Sequence, residues 1–140
     1  MQRVTPMLSY EDAGAAIEWL TKAFGFVENV EQRHSAGDRV THAELSFDGG
    51  TIMLATPAAE YESPKTHREH CEAAARWLDT PWAIDGVFVL VDDLDSHYAH
   101  AKEAGATVIR EPDDPGVGVR VYTAEDLEGH RWMFMQAPES

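Results

Sequence analysis

His42 and Glu44 stand two residues apart in a segment, 40–47, that alternates apolar and polar side chains. That period puts Ala43, Leu45 and Phe47 on one face of a strand and His42, Glu44 and Ser46 on the other. An imidazole beside a carboxylate can act as a general base held by an acid, or can read a ligand through hydrogen bonds. The same pair can equally be a structural contact in a cup wall or a dimer contact. Arg120, Tyr122 and Arg131 form a second polar group. Arginine offers a planar, permanently charged fork that matches carboxylate or phosphate. In a chain of net charge −14, two such forks would create a local positive spot for an anionic or carbonyl-rich ligand. A salt bridge from Arg120 or Arg131 to Glu44 is the competing reading.

Trp77 and Trp82 flank the turn Asp79-Thr80-Pro81. Flat aromatic walls bind planar ligands by stacking, and they also anchor loops or fill dimer interfaces. Trp19 and Trp132 read as core. Among the other histidines, His67 and His70 have helical spacing that would let both reach one ion, but Arg68 and Glu69 between them favour a solvated face. His97 and His100 read as surface residues of a helix, His34 falls in a turn, and His130 positions a hairpin. Cys71 is the only cysteine, so no internal disulfide or thiolate cluster can form, and it reads as a packed small side chain.

The elements that must position these residues are legible in the spacing. Residues 4–9 read as a strand, 11–24 as a helix stopped by Gly25, and 26–33 as a strand before the turn 35–38. Residues 40–47 and 51–55 form a hairpin across Asp48-Gly49-Gly50. Farther on, 86–91 is a strand, and 94–104 is a helix with Asp92 or Asp93 at its start and Gly105 as its stop. Strands at 107–110, 119–124 and 131–136 complete that half. An insert over 57–84 carries a predicted helix at 64–78, with Ser63 as its cap and Pro64 in its first turn.

The two halves repeat. Thr51-Ile-Met-Leu54, preceded by Asp48-Gly-Gly50, recurs 80 positions later as Arg131-Trp-Met-Phe134, preceded by Glu128-Gly-His130. The same offset pairs Asp12 with Asp92, Lys22 with Lys102 and Gly25 with Gly105. Solenoid repeats have periods of roughly 20–50 residues, so this is instead a duplicated βαβββ module. The expected fold is α+β, with two tandem βαβββ modules forming a curved mixed-sheet cup. The chain then forms one domain over 1–140: a first module at 1–56, a helical insert at 57–84 and a second module at 85–137. In this architecture His42, Glu44, Thr51, Met53 and Ala55 line the cup in the first half. The 80-residue offset assigns Arg120, Tyr122, Arg131, Met133 and Met135 to it in the second.

Composition narrows the partners. With 11 Lys+Arg against 25 Asp+Glu, the surface repels nucleic acid and acidic membranes. No apolar stretch approaches the ~20 residues of a membrane span, and the opening Met-Gln-Arg-Val lacks a signal-like segment. A cytoplasmic location is the expectation.

The repeat, closed by Glu125-Asp-Leu-Glu-Gly-His-Arg-Trp-Met-Phe134, resembles the vicinal oxygen chelate superfamily of glyoxalases, extradiol dioxygenases, and fosfomycin-resistance and bleomycin-binding proteins. Tyr10 to Phe26 is similar to that family's opening strand and helix, and Val89 to Asp95 with Ala104 to Val108 is similar to the second copy's. The resemblance implies a homodimer with a ligand cup, and in its enzymes a divalent metal held by one residue from each of four strands. Carried over, those positions are Thr5, Met53, Gly86 and Met133, with Asp85 one residue from the third. None of the four is an effective ligand for Zn²⁺, Ni²⁺, Fe²⁺ or Mn²⁺. The reading is therefore a metal-free member without a cofactor. It would bind a small hydrophobic or planar molecule through Met53, Trp77, Trp82, Arg120, Tyr122, Arg131 and Met133. The alternatives are metal-independent proton transfer with His42 as base and Glu44 orienting it, and a metal-dependent lyase or dioxygenase.

Overall fold

The computed structural model describes residues 2–80, 82–116 and 118–138, leaving Pro81 of the 79–81 turn outside. The first half runs β1 (Met7–Ser9), α1 (Ala13–Phe24), β2 (Val27–Glu28), β3 (His34–Ala36), β4 (Arg39–Phe47) and β5 (Gly50–Ala55). An insert with α2 (Pro64–His67) and α3 (Glu72–Arg76) follows. The second half runs β6 (Gly86–Val91), α4 (Leu94–Glu103), β7 (Thr107–Asp113), β8 (Val121–Glu125) and β9 (Arg131–Gln136).

Each half folds a mixed sheet over its helix. The first has the order β1-β5-β4-β2, with β3 also on β4, and the second has the order β6-β9-β8-β7. β1 runs parallel to β5, and β6 parallel to β9; the remaining pairs are antiparallel. Short loops close the antiparallel pairs, whereas each parallel strand needs its crossover helix. This is the α+β fold of two mixed sheets that the spacing predicts. α1 begins where Asp12 accepts the Ala15 N–H at 3.0 Å and stops where Gly25 takes φ 86°. α4 begins in the same way, with Asp93 accepting the Ser96 N–H at 3.2 Å.

One core serves both halves. Phe24 of α1 lies 5.5 Å from Trp132 and 4.7 Å from Phe134 between ring centroids, all three fully buried. Truncating such an aromatic to alanine costs about 3–5 kcal/mol, so this contact ties the two halves together. The β8–β9 loop adds polar ties. Buried Asp126 accepts from Tyr10 Oη at 2.6 Å and Trp132 Nε1 at 3.0 Å, and from the Glu128 and His130 N–H groups. Glu128 in turn accepts the N–H groups of Glu11 and Asp12.

Two elements and one tryptophan depart most from what the spacing predicts. The strand at 26–33 shrinks to β2, because residues 30–32 wind into a 3₁₀ turn, and 34–36 become a strand that pairs with β4. The helix at 64–78 breaks into α2 and α3 because Cys71 is extended, with φ −132° and ψ 109°, and caps α3 instead of packing inside a helix. Contacts outside the segment decide that break. Glu11 accepts from Ser63 N, Ser63 Oγ and Thr66 Oγ1, while Arg68 reaches across to Glu125. Finally, Trp19 is only partly buried, against the edge of the core.

Candidate functional site

Register decides which side chains share each concave face. On the first sheet Met7, Met53 and Glu44 lie side by side across three strands. His42 follows two residues along β4, its Nε2 3.0 Å from Glu44 Oε2. Both side chains keep solvent access, at 28 % and 21 % of their surfaces. The His34 ring stands 6.1 Å away, across the β3–β4 pair. The imidazole–carboxylate pair read from the spacing is therefore formed, on the face opposite the buried Ala43 and Leu45.

On the second sheet Phe88, Met133, Thr123 and Arg110 lie abreast across four strands. They line an apolar cavity of about 460 Å³ whose remaining walls are Trp82, Pro115, Val121 and Met135. The Trp82 indole N–H points at Met133 Sδ, 3.0 Å away. Two expected residues, Trp82 and Met133, thus meet in one cavity, whereas His42, Glu44 and Met53 belong to the other sheet.

The structure removes Tyr122 from the cup. It is fully buried, its hydroxyl 2.6 Å from His97 Nδ1 on the core side of the sheet. Burial pushes the phenol's pKa well above its ordinary value. The cause is one extra loop residue. The first hairpin pairs Glu44 with Met53, and the second pairs Thr123 with Met133. The strands after the turns are offset by 80 residues, but those before them by 79. A shift of one residue turns every side chain to the opposite face, so Val121 and Thr123, not Tyr122, are the equivalents of His42 and Glu44.

Two further assignments change. Arg120 lies outside the cup and grips Asp95 at the start of α4 with two bonds of 3.0 and 2.8 Å. Arg131 shares the face of Met133 but is only 2 % exposed. Its Nε meets Glu125 at 3.1 Å, and its remaining nitrogens donate to the carbonyls of Thr80 at 2.7 Å and Leu78 at 3.1 Å. Its carboxylate partner is therefore Glu125 rather than Glu44, and it holds the insert down. Trp77 stands over a smaller cavity of about 160 Å³ between the insert and Arg131.

His97 is not a surface residue. Its Nε2 lies 2.9 Å from the Phe24 carbonyl, which can only accept, so Nε2 carries the proton and Nδ1 accepts from Tyr122. Burial lowers its pKa. Sequence reasoning missed Arg110, Phe88, Pro115, Val121 and Thr123 as cavity residues. Counting residues across the equivalent pairs finds the last two, since five separate Glu125 from Arg131 where four separate Ser46 from Thr51.

Two mixed sheets from a duplicated βαβββ unit, with opposed helices in one core, match a known architecture. A family model described as the Glyoxalase/Bleomycin resistance protein/Dioxygenase superfamily matches residues 3–134. The chain belongs to this superfamily. The superfamily chain is 28 % identical over 137 residues to an uncharacterized protein of Mycobacterium bovis, covering 95 % of this chain and 82 % of that one. It is similar to the crystal structure of TioX from Micromonospora sp. ML1, with TM-score 0.67 and 26 % identity, covering 99 % and 98 % of the two chains. Glyoxalase I from Zea mays shares the fold at TM-score 0.71 and 16 % identity, this chain spanning 46 % of its length.

For the enzymes of this superfamily the resemblance implies a metal at four strand positions, and the donors here do not fit one. Met53 and Met133 offer thioethers, Gly86 offers no side chain, and Thr5, like Met7 beside Met53, adds no carboxylate or imidazole. Among the described residues, no three His, Cys, Asp or Glu side chains are grouped to hold an ion. No described helix is long and apolar enough to cross a membrane.

Proposed function

We propose that this superfamily member binds a small hydrophobic or planar molecule on the concave face of its second sheet, without a metal ion and without turnover. The observation that carries the reading is the cavity of about 460 Å³, walled by Phe88, Val121, Met133, Met135 and Trp82. That volume is in the range of drug-sized ligand sites, roughly 300–1,000 Å³, and aromatic and thioether walls suit a flat apolar ligand. Thioethers at the inherited ligand positions favour packing over coordination. Leu90, 47 % exposed on the edge strand β6 and outside the lining of that cavity, supports a homodimer. The net charge of −14 supports a protein that avoids nucleic acid and acidic membranes, and a cytoplasmic location is proposed with it.

His42 and Glu44, bonded at 3.0 Å with solvent access, support a second reading. In it His42 acts as the base of a metal-independent proton transfer, oriented by Glu44. The two separate by experiment. Tryptophan fluorescence titrated with aromatic antibiotics and α-keto compounds is expected to show saturable quenching, with no product in the same mixtures. Turnover that disappears in His42→Ala would replace binding with catalysis, and stoichiometric Ni, Zn, Fe or Mn in protein purified without chelator would overturn the metal-free reading.

A further inference from the structure

Of the residues around the second-sheet cavity, Arg110 alone carries a charge. β7 breaks register on both sides of it, between Val108 and Arg110 and between Arg110 and Asp113. Such irregularities re-aim side chains, and here they leave Arg110 opposite Thr123 on the concave face.

The other arginines near acids are committed. Arg33, Arg68 and Arg120 each make two bonds to one carboxylate at 2.7–3.0 Å, and Arg131 is held by Glu125 and two carbonyls. Arg110 instead has one contact to Asp113, at 3.4 Å, with 36 % and 65 % of the two side chains exposed. A pair so long and wet is weak and easily exchanged, while the guanidinium retains the fork that fits an anion. In a chain of net charge −14, a partly exposed cation in the lining of an apolar cavity is placed to discriminate.

We infer that the second-sheet cavity takes an apolar, ring-bearing acid whose carboxylate or sulfonate is read by Arg110. This rests on the proposal that the cavity is the binding site, and adds the ligand's charge. The apolar body would lie against Phe88, Met133 and Met135, with its acid displacing Asp113 from the guanidinium.

A matched dye pair tests it: 8-anilinonaphthalene-1-sulfonate, which is anionic, and N-phenyl-1-naphthylamine, which shares the rings without the charge. Thr123→Trp, which fills the cavity, is expected to abolish binding of both. Arg110→Met is expected to weaken the anionic dye roughly tenfold or more, as losing a bond to a charged group does, and to leave the neutral dye unchanged. Arg110→Lys should restore part of the loss, and Asp113→Asn should tighten the anionic dye. If Thr123→Trp blocks both dyes while Arg110→Met leaves their affinity ratio unchanged, the acid preference is wrong and the cavity reading stands. If a folded Thr123→Trp still binds both dyes, both readings fall.

Discussion

Trp82 Nε1 lies 3.0 Å from Met133 Sδ, joining the end of the insert to the middle of β9. The indole is 66 % exposed, so it is both a wall and a reporter. Trp82→Phe is expected to remove most ligand-induced quenching and weaken ring-bearing ligands by about threefold to tenfold, the scale of an aromatic contact. Fluorescence and calorimetric titration of both proteins check this.

His42 and Met133 sit on different sheets, which makes binding in the second cavity independent of the first sheet's pair. His42→Ala should leave affinity there unchanged within about twofold, as independent sites do. A loss of tenfold, measured by the same titration, would mean that both faces build one site.

Tyr122 should matter for stability and not for the ligand. Tyr122→Phe deprives the His97 Nδ1 acceptor of its donor. A buried acceptor left unsatisfied costs about 1–3 kcal/mol; His97 is part-buried, so the lower end, about 1 kcal/mol, is expected in urea unfolding. His97 also predicts a pH dependence. Its folded pKa lies below the ordinary 6.5, so the unfolded chain takes up a proton first. Its contribution is complete above pH 6.5 and declines as the pH falls through 6.5 toward the folded value. Substituting His97 should flatten the urea midpoint against pH in that window.

Glu125 holds two arginines, Arg131 at 3.1 Å and Arg68 at 2.8 and 2.9 Å. Glu125→Gln leaves the buried Arg131 guanidinium without its counter-charge, and breaking such a pair costs about 3–5 kcal/mol. The insert should loosen first, so trypsin is expected to cut at Lys65 or Arg68 earlier than in the parent, followed by mass spectrometry.

Gly129 takes φ 88°, and a Cβ there would stand 2.8 Å from the Lys65 backbone nitrogen. Gly129→Ala combines that clash with a left-handed backbone and should cost about 1–3 kcal/mol, lowering the thermal midpoint. An unchanged midpoint would mean that the loop and α2 can separate freely.

The sequence by itself determined the fold and one polar pair. Strand alternation puts a bonded His42 and Glu44 on one face, Gly25 and Gly105 mark the helix ends, and the 80-residue repeat announces two modules. These are local signals, carried by side-chain period and backbone preference. The same repeat misplaced Tyr122, because offset says nothing of the one residue gained in the second hairpin, and in a strand one residue is a change of face. Tertiary structure alone decided what each arginine does. Arg120, Arg131 and Arg110 look alike in sequence, yet Asp95 occupies the first, and Glu125 with the carbonyls of Leu78 and Thr80 occupies the second. The third keeps only a loose neighbour beside an open apolar cavity. A guanidinium's partners depend on where the sheets, α4 and the insert come to rest, and that is fixed by the shared core around Phe24 and Trp132.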